Sequence, residues 1–272
     1  RKCVENAGLI VNEMVITPLA LTESILSDGE KDFGTIVIDM GGGQTTTAVM
    51  HDKQLKFTSL DQEGGEFVTK DISIVLNTSF NNAEALKINY GDAYPERTSP
   101  DEEFPVDVIG QSEPVKVDER YLSEIISARM EQIFNKAKDA LDQIEALELP
   151  GGVVLTGGAA SLPGVVDLAQ EIFGVNVKLY VPNHMGLRNP VFTNVISIVD
   201  YSANLSEVYQ LAKIAVTGET SAARQMVVEQ ETTNTYESYE APEETVYDEP
   251  EPKESGENVK NKIKGFFTNI FD

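Results

Sequence analysis

Along most of the chain, runs of apolar residues change between two periods, and the changes mark the elements. Continuous apolar or β-branched runs occur at Thr35-Ile36-Val37-Ile38, residues 46–50, residues 55–59, Val153-Val154-Leu155 and residues 177–181. Glycine or aspartate bounds most of them, the pattern of strands ended by turns. A further short strand is expected over 11–16. It leads into a helix that opens near Pro18, where a missing N–H costs nothing. Residues 35–59 read as a three-stranded meander turning at Gly41-Gly42-Gly43 and at Asp52-Lys53.

The helical period takes over after Gly64-Gly65, where Phe67, Val68, Ile72, Val75 and Leu76 share one face. A shorter helix is expected over 82–89. Two extended pieces, 106–109 and 115–117, precede the longest helix. That helix starts with Asp118 as N-cap and repeats Leu122, Ile125, Ile126, Ile133, Ala137, Leu141 and Ile144, with Pro150-Gly151-Gly152 as its stop. A helix from about Pro163 to Phe173 with Gly174 as cap, and helical stretches over 193–216, complete the body. Strands alternating with helices, without an internal repeat of about 20–50 residues, make the fold class α/β.

Beyond residue 216 the periodicity stops and composition changes. Residues 217–257 hold 12 acidic against two basic residues, together with Pro242, Pro250 and Pro252. So polar a segment cannot bury enough surface to offset its ordering entropy, and it is expected to be a disordered acidic linker. Residues 258–272 reverse the pattern. As a helix, Val259, Ile263, Phe266, Phe267, Ile270 and Phe271 occupy one arc of about 140°. Lys262 and Lys264 flank that arc and Lys260 lies near its edge, where ammonium groups can reach lipid phosphates. At roughly 21 Å this helix is too short to span a bilayer, so the expectation is an amphipathic helix lying in the membrane interface. Docking on the body or on a protein partner is the other reading.

The whole chain has 272 residues and a net charge of -24, which argues against a nucleic-acid partner. One cysteine and two histidines exclude a disulfide framework and leave little for a metal cage or a histidine-based triad. No apolar run approaches membrane-span length and no signal peptide is apparent, which sets a soluble intracellular chain as the default. The first residue is Arg, not Met, and the chain is read as a piece of something longer. Cys3, on a short helix before Gly8, is expected to be packed; His51 and His184 are expected at the surface.

Two glycine turns carry the candidate chemistry. Asp39-Met40-Gly41-Gly42-Gly43-Gln44-Thr45 follows a buried strand, and glycines let backbone N–H groups face an anion. A carboxylate at the strand end suits a hydrated Mg²⁺, which keeps several waters when it bridges phosphates. The sequence is neither a Walker A loop nor a GxGxxG entering a helix, and a plain hairpin turn is the other reading. Thr156-Gly157-Gly158-Ala159-Ala160 also ends a buried strand and leads toward a helix N-terminus, a place for an anion or nucleotide or simply a strand–helix loop. Between the two, Glu84 and Lys87 lie three apart on one helix face, the spacing of a surface ion pair.

The ordered blocks IVIDMGGGQTTTAVM, QEGGEFVTKDI, NNAEALKINYG and VVLTGGAASLPGV, within residues 2–201, closely resemble the second half of the FtsA family of bacterial actin-like cell-division proteins. The resemblance implies an actin-like (ribonuclease H-like) core subdomain over 1–60 and 150–216, with residues 61–149 as an inserted, partner-binding subdomain. It implies ATP and Mg²⁺ as cofactors, with Asp39, Gly41, Gly42, Gly43, Gln44 and Thr45 at the β/γ-phosphates and metal. Glu84 and Lys87 would flank ribose and adenine, and Gly157 and Gly158 would lie under the base. It also implies binding of the C-terminal tail of the tubulin-like division protein FtsZ, with Arg129 at a basic position of the binding helix; the alternative for Arg129 is a solvated salt bridge. Self-association into an actin-like filament, other divisome partners and the cytoplasmic face of the membrane at the septum follow from the same likeness.

The sequence departs from the family where Gln44 replaces a hydroxyl residue found in many superfamily members, and the phosphate-1 loop of the first half is not in it. No general base is apparent, so the chain is expected not to be an enzyme, with at most slow ATP hydrolysis in a complete protein. Three function classes stand: a membrane-tethered filament adaptor, an ATP-dependent enzyme of the sugar-kinase branch, and an Hsp70-like chaperone nucleotide domain. The acidic tether with its basic-apolar end favours the adaptor.

Overall fold

The computed structural model describes residues 1–9, 11, 13–205, 209, 212, 215 and 216. Both the acidic linker over 217–257 and the amphipathic helix over 258–272 lie outside the described residues. The chain divides into two units, one of residues 16–203 and one of residues 1–15 with 204 onward. In the second of these, α1 (Lys2–Asn6) has no buried residue, and the Tyr209 hydroxyl donates to the Glu13 carboxylate at 2.9 Å. Cys3 is exposed, which corrects the expectation of a packed thiol: five helical residues have too little surface to enclose a side chain.

The larger unit is built on a five-stranded mixed sheet. Its elements run α2 (Thr17–Ile25), α3 (Asp28–Phe33), β1 (Thr35–Met40), β2 (Thr45–His51), β3 (Gln54–Asp61), α4 (Gly65–Leu76), α5 (Phe80–Tyr90), β4 (Glu103–Val106), β5 (Val115–Asp118), α6 (Glu119–Asp142), β6 (Val153–Thr156), α7 (Val165–Phe173), β7 (Val177–Leu179) and α8 (Thr193–Ala203). The strand order is β3-β2-β1-β6-β7, with β1–β3 an antiparallel meander and β6 and β7 joined parallel to β1. A separate hairpin pairs β4 with β5, and Phe104 of β4 stacks on Tyr90 of α5.

Strand period explains the layers. Every residue of β1 is buried, because the strand is central and covered on both faces. Ile36, Ile38 and Met40 point into the main core with Val68 and Ile72 of α4, Leu122, Ile126 and Phe134 of α6 and Leu168 of α7. Val37 points the other way, with Leu21, Leu26, Met50 and Val154. The sheet is therefore sandwiched, and the two glycine turns leave it side by side because β1 and β6 are parallel neighbours, Asp39 opposite Thr156.

Several expectations change. Residues 11 and 13–16 form no strand, and α3, for which the apolar pattern gives no expectation, is nucleated by Ser27 and Glu30 as a reciprocal capping box. The long helix ends at Asp142, before Pro150. Ile144 therefore falls outside its apolar face and is 43% exposed. The first extended piece lies at Glu103–Val106 instead of 106–109, because Phe104 and Val106 are the residues it buries. Asp118 caps α6 as expected, its carboxylate accepting from the Tyr121 N–H at 2.7 Å.

Candidate functional site

The β1–β2 turn is Gly41 to Gln44, closed by the Gly41 N–H donating to the Gln44 carbonyl at 2.9 Å. Its carbonyls are held from outside: Gly65 N–H donates to Gly41 O at 2.9 Å and Glu66 N–H to Gly42 O at 2.8 Å. These are donors of the first turn of α4, which lacks a side-chain cap, so the hairpin itself satisfies them. Gly64 makes this approach possible, since a Cβ there would lie 2.5 Å from both the Gly41 and Gly42 carbonyl oxygens.

The Thr45 hydroxyl is not turned toward the glycines. It is buried and donates to the Glu63 carbonyl at 2.8 Å, fixing the loop before α4. Gly43 and Gln44 are exposed at the tip. A cavity of about 660 Å³ opens beside this hairpin, and it brings Gly42, Gly65, Glu84, Lys87 and Gly158 together. Phe80, Ile88, Met130 and Val191 supply apolar lining. Of the sequence candidates, Gly42, Glu84, Lys87 and Gly158 therefore share this cavity, whereas Asp39, Gly41, Gly43, Gln44, Thr45 and Gly157 are not part of its wall.

Glu84 and Lys87 are more than a surface pair. The Lys87 ammonium, 12% exposed, donates to Glu84 at 2.7 Å, to the Thr69 hydroxyl at 2.7 Å and to the Gly65 carbonyl at 3.1 Å. Its three donors are thus spent on pinning α5 to the start of α4. The Thr69 hydroxyl also donates to Glu84. Burial works against the Glu84 charge, yet the hydrogen bonds from Lys87 and Thr69 hold the carboxyl below its usual range.

Asp39 stands at the end of β1, 7% exposed. Burial pushes its carboxyl above the usual range, against the pull of a hydrogen bond from Asn194 Nδ2 to Oδ2 at 2.7 Å. Oδ1 is buried with no hydrogen-bond partner. Gly157, at φ +94°, leaves room there, for a Cβ would lie 2.5 Å from Oδ1. Such an orphaned oxygen fits a hydrated Mg²⁺, which needs few protein ligands because it keeps its waters. Among the described residues there is no cluster of three or more His, Cys, Asp or Glu able to hold a bare ion.

The second glycine turn departs from expectation in one respect. It does not enter a helix N-terminus directly: a 3₁₀ turn over Ala159–Ser161 intervenes, and α7 starts at Val165 after its N-cap Gly164, which packs against Asp92 and Tyr94. Arg129 of α6 is not on a solvated face. At 17% exposed, its guanidinium donates to both Asp71 oxygens at 2.5 and 3.1 Å and to Glu63 at 3.2 Å, and Lys136 joins Glu63 at 2.7 Å. The membrane candidates Val259, Lys260, Lys262, Ile263, Lys264, Phe266, Phe267, Ile270 and Phe271 lie outside the described residues. No helix of the described residues is long and apolar enough to cross a membrane.

Three residues absent from the expected set matter here. Gly64 and Gly65 had a signal, a double glycine opening a helix. Asn194 had none, since it lies 155 positions from the carboxylate it binds.

Comparison with known proteins identifies relatives over most of the chain. The family described as Cell division protein FtsA matches residues 36–197, and its C-terminal family matches 208–272. The chain is 89% identical to the cell division protein FtsA of Enterococcus hirae and 74% to that of Enterococcus faecalis, in each case over all of this chain and 62% of the relative. Against FtsA of Bacillus subtilis it is 40% identical over 74% of this chain and 46% of the relative. The chain thus spans less than two thirds of the length of these relatives. Among solved structures, MreB5 of Spiroplasma citri bound to ADP aligns with a TM-score of 0.59 at 16% identity, covering 75% of this chain and 64% of that one. The MamK double helical filament aligns at 0.57 and 16%, with 75% and 64% covered. The ethanolamine utilization protein EutJ of Carboxydothermus hydrogenoformans aligns at 0.53 and 22%, with 74% and 59% covered. These likenesses show an actin-like α/β fold.

Proposed function

The chain belongs to the FtsA family of cell division proteins, and from that premise we propose that it is the nucleotide-binding and membrane-reaching part of an actin-like adaptor. The complete protein ties filaments of FtsZ to the cytoplasmic face of the membrane at the septum and helps recruit other divisome proteins. The observation that carries the nucleotide part is the convergence of Gly42, Glu84, Lys87 and Gly158 on one cavity, beside a buried carboxylate with a free oxygen.

In this reading the cavity takes the ribose and base of ATP between α5 and the second glycine turn. The Gly42 and Gly43 amides face the β/γ-phosphates, while the Gly41 N–H closes the turn on the Gln44 carbonyl. Asp39 holds the water shell of Mg²⁺, which supplies charge neutralisation to the phosphates when bound. Lys87 acts by fixing the cavity wall, because its donors are already engaged. The remaining wall comes from the rest of the full-length protein. The role in this reading is nucleotide-dependent assembly, with hydrolysis slow where it occurs. Support for self-association comes from MamK, whose solved structure is a double helical filament.

Residues 61–149 act as the partner-binding subdomain on the core of 1–60 and 150–216. Arg129 contributes the cation for the acidic-apolar FtsZ tail, sharing it with Asp71 and Glu63. Residues 217–257 form the acidic tether and 258–272 the interfacial helix. The test is co-pelleting of the full-length protein with FtsZ filaments and liposomes. Three-way pelleting is expected, with the liposome part lost on removing the last 15 residues; FtsZ pelleting equally with liposomes in the absence of this protein's tail would refute the tether.

A further inference from the structure

The two oxygens of Asp39 are not equivalent. Oδ2 accepts from Asn194 Nδ2 at 2.7 Å, whereas Oδ1 is buried and unpartnered. Asn194 lies in the first turn of α8, and its own amide oxygen is likewise buried with no partner. Two orphaned acceptors on side chains that touch each other are unusual, because each forfeits its hydration without a replacement. A shared donor between them would satisfy both. The room for one is reserved by Gly157, whose absent Cβ would otherwise fall on Asp39 Oδ1.

The start of α8 does not depend on this contact. The buried hydroxyls of Thr193 and Thr156 hydrogen-bond at 2.8 Å, and Ser24 of α2 donates to Asp200 at 3.0 Å further along the helix. Asn194 is therefore delivered to Asp39 by a helix anchored elsewhere. An amide is the apt side chain for this place. Its N–H locks the carboxylate, its oxygen adds an acceptor, and it brings no second negative charge toward bound phosphates.

We propose that Asn194 is a positioning residue for the hydrated divalent cation of the nucleotide site. Its N–H holds Asp39 so that Oδ1 is presented, and its amide oxygen accepts, beside Oδ1, from the water shell of the cation. This rests on the nucleotide reading of the cavity and adds a residue that has no likeness to a glycine turn or a strand end.

The test uses the full-length protein and a fluorescent ATP analogue, titrated in excess Mg²⁺ and in excess EDTA. The ratio of the two affinities, taken within each variant, isolates the cation's contribution and cancels any general loosening of the fold. Asn194→Ala is expected to lower affinity about tenfold in Mg²⁺ and to leave it unchanged in EDTA, the usual size of effect for a group that orients a metal's ligand. Asn194→Asp loses the N–H and sets a second carboxylate against Asp39 Oδ2, so it should also bind more weakly than wild type in Mg²⁺, and more weakly still in EDTA, where no cation offsets the added charge. An equal loss in both media for Asn194→Ala, or no loss in either, overturns the proposal while the nucleotide site stands. A wild type that fails to bind ATP in Mg²⁺ overturns the nucleotide reading, and this proposal with it.

Discussion

Glycines that look alike in a sequence do different work here, and their substitution separates folding from binding. Gly64 lies against the hairpin backbone, and neither the Gly41 nor the Gly42 carbonyl can yield without breaking the bonds from Gly65 and Glu66. Gly64→Ala should cost about 1–3 kcal/mol of stability, as overpacking does, read by urea unfolding. Gly158 is the opposite case: a Cβ there meets only Val191, at 3.5 Å, an ordinary contact. Gly158→Val should leave the unfolding midpoint close to wild type and weaken ATP binding by filling the cavity floor. If both variants lose stability equally, the division of labour between Gly64 and Gly158 is wrong. The sequence made the glycine turns visible because chain reversal at a buried strand needs them. It could not reveal Asn194, or that Thr45 turns its hydroxyl to Glu63, since both depend on contacts between segments far apart in the chain.

Between elements, the loop before α4 is the joint. Its Glu63 carbonyl is held by Thr45, and its side chain is gripped by Arg129 and Lys136 of α6. Burial opposes the Glu63 charge, but Lys136 and Arg129 outweigh it and hold the carboxyl below its usual range. The sign of the pH dependence follows. A lowered folded-state pKa adds stability that is fully present above the ordinary glutamate value and is lost as pH falls through the folded value. Glu63→Gln should therefore unfold at lower urea than wild type at neutral pH, with the gap closing in acid. A gap that stays constant from neutral pH into acid would exclude this ionic grip. The same network sets the terms on which Arg129 can be tested as a partner contact. Arg129→Glu sets a third carboxylate against Asp71 and Glu63, so lost FtsZ-tail affinity counts as a contact only if Arg129→Lys, which keeps the charge, loses less. Long periodic elements such as α6 were legible because one face must be buried over many turns. The six-residue α3 was not, because its stability comes from a cap and not from an apolar stripe.

For the whole molecule, the decisive question is whether the C-terminal residues carry the protein to lipid. In the proposed interfacial helix, Val259, Ile263, Phe266, Phe267, Ile270 and Phe271 would form an apolar arc that needs a cover, and the self-repulsion expected of the 41 acidic-rich residues before it would favour reach over return. Lys260, Lys262 and Lys264 sit at or near the borders of the arc, and each adds about 1 kcal/mol beside an anionic leaflet. Binding to liposomes should thus weaken as salt rises, through screening, and as neutral lipid replaces anionic, through loss of the surface potential. In this proposal the aromatic pair would supply the insertion, so replacing both Phe266 and Phe267 with Glu would exchange two lipid-facing rings for two charges repelled by the leaflet. That double variant should stay in the supernatant when sedimented with anionic liposomes, while keeping the ATP affinity of the full-length parent. Wild-type sedimentation by the double variant would mean that the arc meets protein and not lipid, and the tether would then have to end on another member of the division machinery.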